Sequence, residues 1–110
     1  MAFSGFNVTF GLMILNQGRT TIAPIYGPST ASDLMDTDGT SSVSAPVISN
    51  PNINAAVASV YSSVDAWCTV GASPADPSAD NPSGGRRFIP ASTPVDFLCD
   101  PGDKVRWAAA

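Results

Sequence analysis

Apolar and polar residues alternate from Phe6 onward. Phe6, Val8, Phe10, Leu12 and Ile14 fall on one side; Asn7, Thr9, Gly11, Met13 and Leu15 fall on the other. A period of two over such a run predicts a β-strand. Asn16-Gln17-Gly18 ends it, and Arg19 to Tyr26 is a second β-prone run that Pro24 confines to an edge or a bulge. Gly27 to Ala45 breaks the pattern. Ser, Thr, Asp and Gly dominate it, so burial does not repay the entropy of ordering it. It reads as a long loop or an extended arm able to order on a partner.

From Pro46 the alternation returns. Val47-Ile48 is a short apolar piece ended by Asn50-Pro51-Asn52. Ala55 to Tyr61 sets Ala56, Ala58 and Val60 against Val57, Ser59 and Tyr61, which reads as a strand; an Ala-rich helix is the competing reading. Val64 to Val70 then sets Val64, Ala66, Cys68 and Val70 against Asp65, Trp67 and Thr69. Ser62-Ser63 separates these runs and predicts a hairpin, although Ser-Ser is a weak turn pair. Gly71 to Gly85 is a second long loop, kept irregular by three prolines and three glycines. Arg86 to Ile89 is a short strand stopped by Pro90, and Pro94 to Cys99 puts Val95, Phe97 and Cys99 on one side. Asp100-Pro101-Gly102-Asp103 has the type II turn pattern. Lys104 to Ala108 closes the chain with Val105 and Trp107 inward and Lys104 and Arg106 outward.

Seven or eight short strands with no helix predict an all-β fold, a small antiparallel β-sandwich or jelly roll with long Pro/Gly/Ser loops. The 110 residues make one domain, with N-terminal strands and the polar arm in 1–50 and a compact β core in 51–110.

Composition narrows the chemistry. The chain has nine Asp, no Glu, no His, one Lys (Lys104) and four Arg (Arg19, Arg86, Arg87, Arg106). Without imidazole there is no Ser-His-Asp triad, His-ligated zinc or haem histidine. A net charge of −4 argues against a nucleic-acid partner. The longest early apolar run, Val8 to Leu15, is far shorter than the ~20 residues of a membrane span. No Lys or Arg precedes that run and no small-x-small cleavage site follows it, so the expected place of synthesis is a cytoplasm. Asn7-Val8-Thr9 matches a glycosylation sequon, which is idle without secretion.

Six groups of residues remain to be weighed. Asp33, Asp36 and Asp38 with Gly39 faintly resemble a calcium loop, but the spacing is off and the closing Glu is missing, which favours a solvated loop. Asp96, Asp100 and Asp103 surround a turn and read as turn-shaping rather than as an acid–base pair. Cys68 and Cys99 both lie on apolar sides of strands and read as buried small hydrophobes; a disulfide would need facing positions and an oxidising compartment. Arg86-Arg87 is the only basic pair, either a solvated or ion-paired edge or a contact to an acidic neighbour. Trp67 faces away from the apolar row of its strand. It either meets a second sheet or, if exposed, serves as an interface anchor or a sugar-stacking ring. Phe3, Phe6 and Phe10 read as core, with packing on a partner as the alternative.

The segment Ser59-Val60-Tyr61-Ser62-Ser63-Val64-Asp65-Ala66-Trp67-Cys68-Thr69-Val70-Gly71 is followed by the proline-rich loop. Then come Arg87-Phe88-Ile89-Pro90-Ala91 and Pro101-Gly102-Asp103-Lys104-Val105-Arg106-Trp107-Ala108-Ala109. This order resembles small virion structural proteins of tailed bacteriophages, over residues 59–109. The resemblance implies a capsid decoration or cement protein, not an enzyme, with no catalytic residue and no cofactor. Its partners would be the major capsid protein or other virion proteins, in homo-oligomers, with no nucleic acid, membrane or small-molecule substrate. Its place would be the virion, after synthesis in the host cytoplasm. The candidate interface residues are Phe3, Phe6, Phe10, Trp67, Arg86 and Arg87. A tail, connector or head-fibre component, and a carbohydrate-binding sandwich using Trp67 or Trp107, are the alternatives.

Overall fold

The computed structural model describes residues 4–14, 25–48 and 54–110. Phe3 and the predicted turns at Asn16-Gln17-Gly18 and Asn50-Pro51-Asn52 lie outside the described residues, as does most of the Arg19–Tyr26 run. The described chain is all-β. Its eight strands are β1 (Phe6–Ile14), β2 (Ile25–Met35), β3 (Gly39–Thr40), β4 (Asn54–Ser62), β5 (Ala66–Gly71), β6 (Arg87–Ile89), β7 (Val95–Cys99) and β8 (Lys104–Ala109). They form two four-stranded antiparallel sheets, ordered β2-β1-β4-β7 and β3-β8-β5-β6, which pack face to face as a small sandwich.

The predicted alternation sets the inner faces. In the first sheet Phe6, Val8 and Phe10 of β1 line up with Ser62, Val60 and Ala58 of β4, and Val95 and Phe97 of β7 extend the last two rows. The second sheet contributes Ala66, Cys68, Ile89, Val105 and Trp107. Phe6 stacks on Trp107 at 5.1 Å between ring centroids, tying the first strand to the last across the sandwich. The Ala-rich stretch is a strand because Ala56 and Ala58 lie between larger apolar neighbours on one face, where a small side chain fits.

Three expectations need correction. The polar stretch from Gly27 to Ala45 is not an arm. It supplies most of β2, then β3, both at sheet edges. An edge strand needs only one inward row and leaves its outer face to water, so Ser, Thr and Asp are tolerated there. Met35 supplies an inward apolar contact, and Thr30, skipped in the register with β1, donates its hydroxyl to the Phe10 carbonyl at 3.2 Å. Residues 41–45 then run beside β8: the Ser41 and Ala45 amides donate to the Val105 and Asp103 carbonyls, each at 2.8 Å. The core therefore draws on both halves of the chain rather than on 51–110 alone.

The second correction is the hairpin. β4 and β5 belong to different sheets, and Ser62 to Asp65 carries the chain from one to the other. A two-residue hairpin turn wants positive φ, which Ser-Ser does not supply. The fully buried Ser62 instead donates its hydroxyl to the Val64 carbonyl at 2.5 Å. Ser63 is clamped to Gly5 in both directions: its amide donates to the Gly5 carbonyl, and its hydroxyl accepts from the Gly5 amide, each at 2.9 Å. The third correction concerns β1. Beyond Phe10 its other side is also buried, at Gly11 and Met13, while Leu12 on the Phe10 side is half-buried.

The Asp100–Asp103 turn forms as its sequence predicts. Gly102 has φ +85°, and the Asp103 amide donates to the Asp100 carbonyl at 3.0 Å. It too connects the two sheets, carrying β7 into β8.

Candidate interaction surfaces

The loop after β5 is not a free excursion. Residues 72–86 fold over the outer face of the second sheet. Thr69 donates its hydroxyl to the Ala75 carbonyl at 2.5 Å, Pro77 is fully buried, and Arg106 on β8 lies 3.8 Å from Asp76. Asp76 also accepts from the Ser78 amide and hydroxyl. These two bonds hold its carboxyl below the usual range, with a smaller contribution from the Arg106 charge.

Arg86 closes the loop. Its guanidinium sits 3.8 Å from the centre of the Trp67 ring, donates to the Pro77 carbonyl at 3.2 Å and reaches Asp80 at 4.0 Å. Trp67 thus faces outward, away from the opposing sheet, and a sugar would have to displace Arg86 to stack on it. Trp107 is buried in the core, so it offers no ring to a sugar either. Beside Trp67, Phe88 packs edge-on at 5.2 Å and stays 46% exposed, so this face keeps an apolar component.

Phe6 and Phe10 are fully buried, and their place is the core rather than an interface. Phe3 lies outside the described residues. The Asp33–Gly39 region is a corner brace: Asp33 accepts from the Ser42 amide and hydroxyl, and Asp38 accepts from the Ala109 amide. Among the described residues no group of three or more metal-ligating side chains converges. Asp103 caps the amide of Asp100 at 2.9 Å, as its turn-shaping role predicts.

A cleft of about 490 Å³ opens along the side of the sandwich where β5 and β6 face β7. Its walls bring together Cys68, Cys99, Phe97 and Arg87, with Asp100, Asp103 and Gly84-Gly85 also lining it. Both thiols are free. Burial pushes Cys68 up to about 12, against a smaller downward pull from Arg87; burial and then Asp103 and Asp100 push Cys99 up to about 12. Both are protonated at neutral pH and are poor nucleophiles. Arg87 is exposed, lies 5.1 Å over the Phe97 ring, and has no carboxylate within 4.0 Å among the described residues.

Sequence reasoning missed this cleft, because it forms between residues from different sheets. It also missed the pinned loop, for which Asp76-Pro77-Ser78, an Asx-turn sequence, was the local signal. No family model matches the chain, and no curated protein or solved structure matches it either.

Proposed function

We propose that this chain is a virion structural protein, most plainly a decoration or cement subunit of a tailed-phage head. It works by burying surface against neighbouring subunits rather than by chemistry. The observation that carries this reading is the distribution of exposed apolar side chains. Leu34 (56% exposed) and Leu98 (60%) lie on the outer face of one sheet, and Phe88 (46%) lies on the outer face of the other. A small sandwich with apolar residues on both outer faces and few charges between them is suited to packing between neighbours. The sequence resemblance over residues 59–109 supports the same reading. Its Ala-Trp-Cys-Thr-Val-Gly, Phe-Ile-Pro-Ala and Gly-Asp-Lys-Val pieces fall on β5, at the end of β6 and at the start of β8.

The partner under this reading is the major capsid protein or another virion protein, and cyclic homo-oligomers suit a symmetric shell. Binding of the purified protein to expanded empty heads, followed by co-sedimentation, tests it. Saturable binding with many copies per head is expected. Failure to bind such heads, together with absence from purified virions, rules the reading out.

A further inference from the structure

The four sheet edges are not alike. β2 is broken twice in its register with β1 and contains Pro28. β3 has two residues, and β6 has three before Pro90. Bulges, prolines and extreme shortness, beside charged side chains such as Asp96 on β7, are the devices that stop an edge from accepting another strand, and the first three are backbone devices. β7 has none of those three within its span. Its five residues pair with β4 in unbroken register from Val60↔Val95 to Ala56↔Cys99, and among the described residues nothing pairs with its other side.

The 490 Å³ cleft runs beside that same edge. One wall holds the ring of Phe97 with the Arg87 guanidinium above it, a cation with no carboxylate within 4.0 Å among the described residues. The outer side of β7 carries Asp96 and Leu98, so the two sides of an added strand would meet different chemistry.

We propose that the free edge of β7 accepts an extended acidic peptide segment as a fifth strand of its sheet, with an inward-facing carboxylate paired to Arg87. Backbone hydrogen bonds to the edge supply affinity, and alternate side chains supply specificity. The inward row of the segment enters the cleft, where a carboxylate meets Arg87 in a charge-assisted, fork-like pair. The outward row lies beside the exposed Leu98, where an apolar residue is favoured. Asp100 and Asp103 also line the cleft, so Arg87 is the group in it that favours a carboxylate and they are the groups that oppose one. The proposal rests on edge geometry and charge, and stands whether or not the virion reading does.

Selection of random dodecapeptides displayed against the intact protein tests it. Enriched sequences should alternate, with one acid in the inward row and apolar residues in the outward row beside Leu98. A synthetic peptide of the enriched sequence should shift the amide resonances of β7. Its binding should weaken at least about ten-fold in Arg87→Glu and in Leu98→Lys, and persist in Phe88→Ser, which alters the opposite sheet. Retention of the wild-type thermal transition shows that each variant folds. No enrichment, enriched peptides without an acid, or binding that survives Arg87→Glu overturns the proposal. A dimer in sedimentation that Leu98→Lys dissolves also overturns it, by making a second copy the occupant.

Discussion

Gly5 shows how one residue can decide a junction. Its φ of +108° is outside the range that side-chain-bearing residues readily adopt, and a Cβ added there would collide with the Met35 carbonyl oxygen. That oxygen belongs to backbone at the end of β2, so it cannot swing away as a side-chain tip could. Gly5→Ala is therefore expected to lose roughly 2–4 kcal/mol, combining backbone strain with overpacking. Urea unfolding followed by circular dichroism measures it, and a loss below about 0.5 kcal/mol contradicts the account. Cys68 makes a second case at this scale. Burial raises its pKa from 9.0 to about 12, so the native thiol holds its proton where the unfolded thiol gives it up. In that window the unfolded state binds fewer protons, so stability falls as pH rises. The contribution is intact below about pH 9 and is lost between there and about pH 12. From about pH 8 to about pH 10.5 the wild type should lose about 1–2 kcal/mol more than Cys68→Ala does. Equal alkaline slopes for the two proteins would show that Cys68 is not the cause.

At the scale of elements, the proline-rich loop is held to the outer face of β5 and β8 by a small set of contacts. Arg86 is the principal one, through Trp67 and the Pro77 carbonyl. Arg86→Ala should cost roughly 1–2 kcal/mol and make residues 72–86 the first site of limited proteolysis. Unchanged cleavage kinetics would mean that Pro77 and Asp76 suffice. The same loop shows where local sequence stops being informative. Alternation located β1, β4, β5, β7 and β8 and named their inward residues, because a strand with one buried face must place apolar side chains two apart. Pro90 and the Asp-Pro-Gly-Asp turn marked ends correctly, because their backbone preferences are local. β2 was illegible because an edge strand gains most of its order from hydrogen bonds to β1, not from apolar periodicity. The hairpin reading of Ser62-Ser63 failed for a related reason. Which sheet a strand joins depends on partners such as Gly5, far away in sequence. Arg86 and Trp67 could be named as interface candidates from sequence, but their contact with each other could not.

The whole molecule is one packing unit. Phe6 from the first strand stacks on Trp107 from the last, and Met35, Ala45, Val60, Ile89 and Phe97 share the same core. Thermal or urea unfolding is thus expected to be a single transition. Near-ultraviolet signals, which report the packed rings of Trp107 in the core and Trp67 under the loop, should coincide with far-ultraviolet signals, which report both sheets. An early far-ultraviolet phase with the tryptophan signal intact would mean that β2 and β3 separate from the rest. The surface of this unit has a specific character. The chain carries nine acidic and five basic residues, two of the basic ones, Arg86 and Arg106, already turned onto the loop's own aspartates. Among the described residues, the outer faces also show Leu34, Leu98 and Phe88 to a neighbour, the second side of β7 is unpaired, and Arg87 has no carboxylate within 4.0 Å. Such a surface gains by contact with other subunits, which is the physical core of the structural-subunit reading. On the proposal that a tailed phage encodes the chain, its most direct test is the number of copies in that phage's purified particles, measured by quantitative mass spectrometry against the major capsid protein. A shell decoration protein predicts copies in fixed proportion to the capsid subunit, on the order of hundreds per head for a large symmetric shell. Six, twelve or a few dozen copies would place it at a vertex or in the tail, and complete absence from the particle would contradict the account.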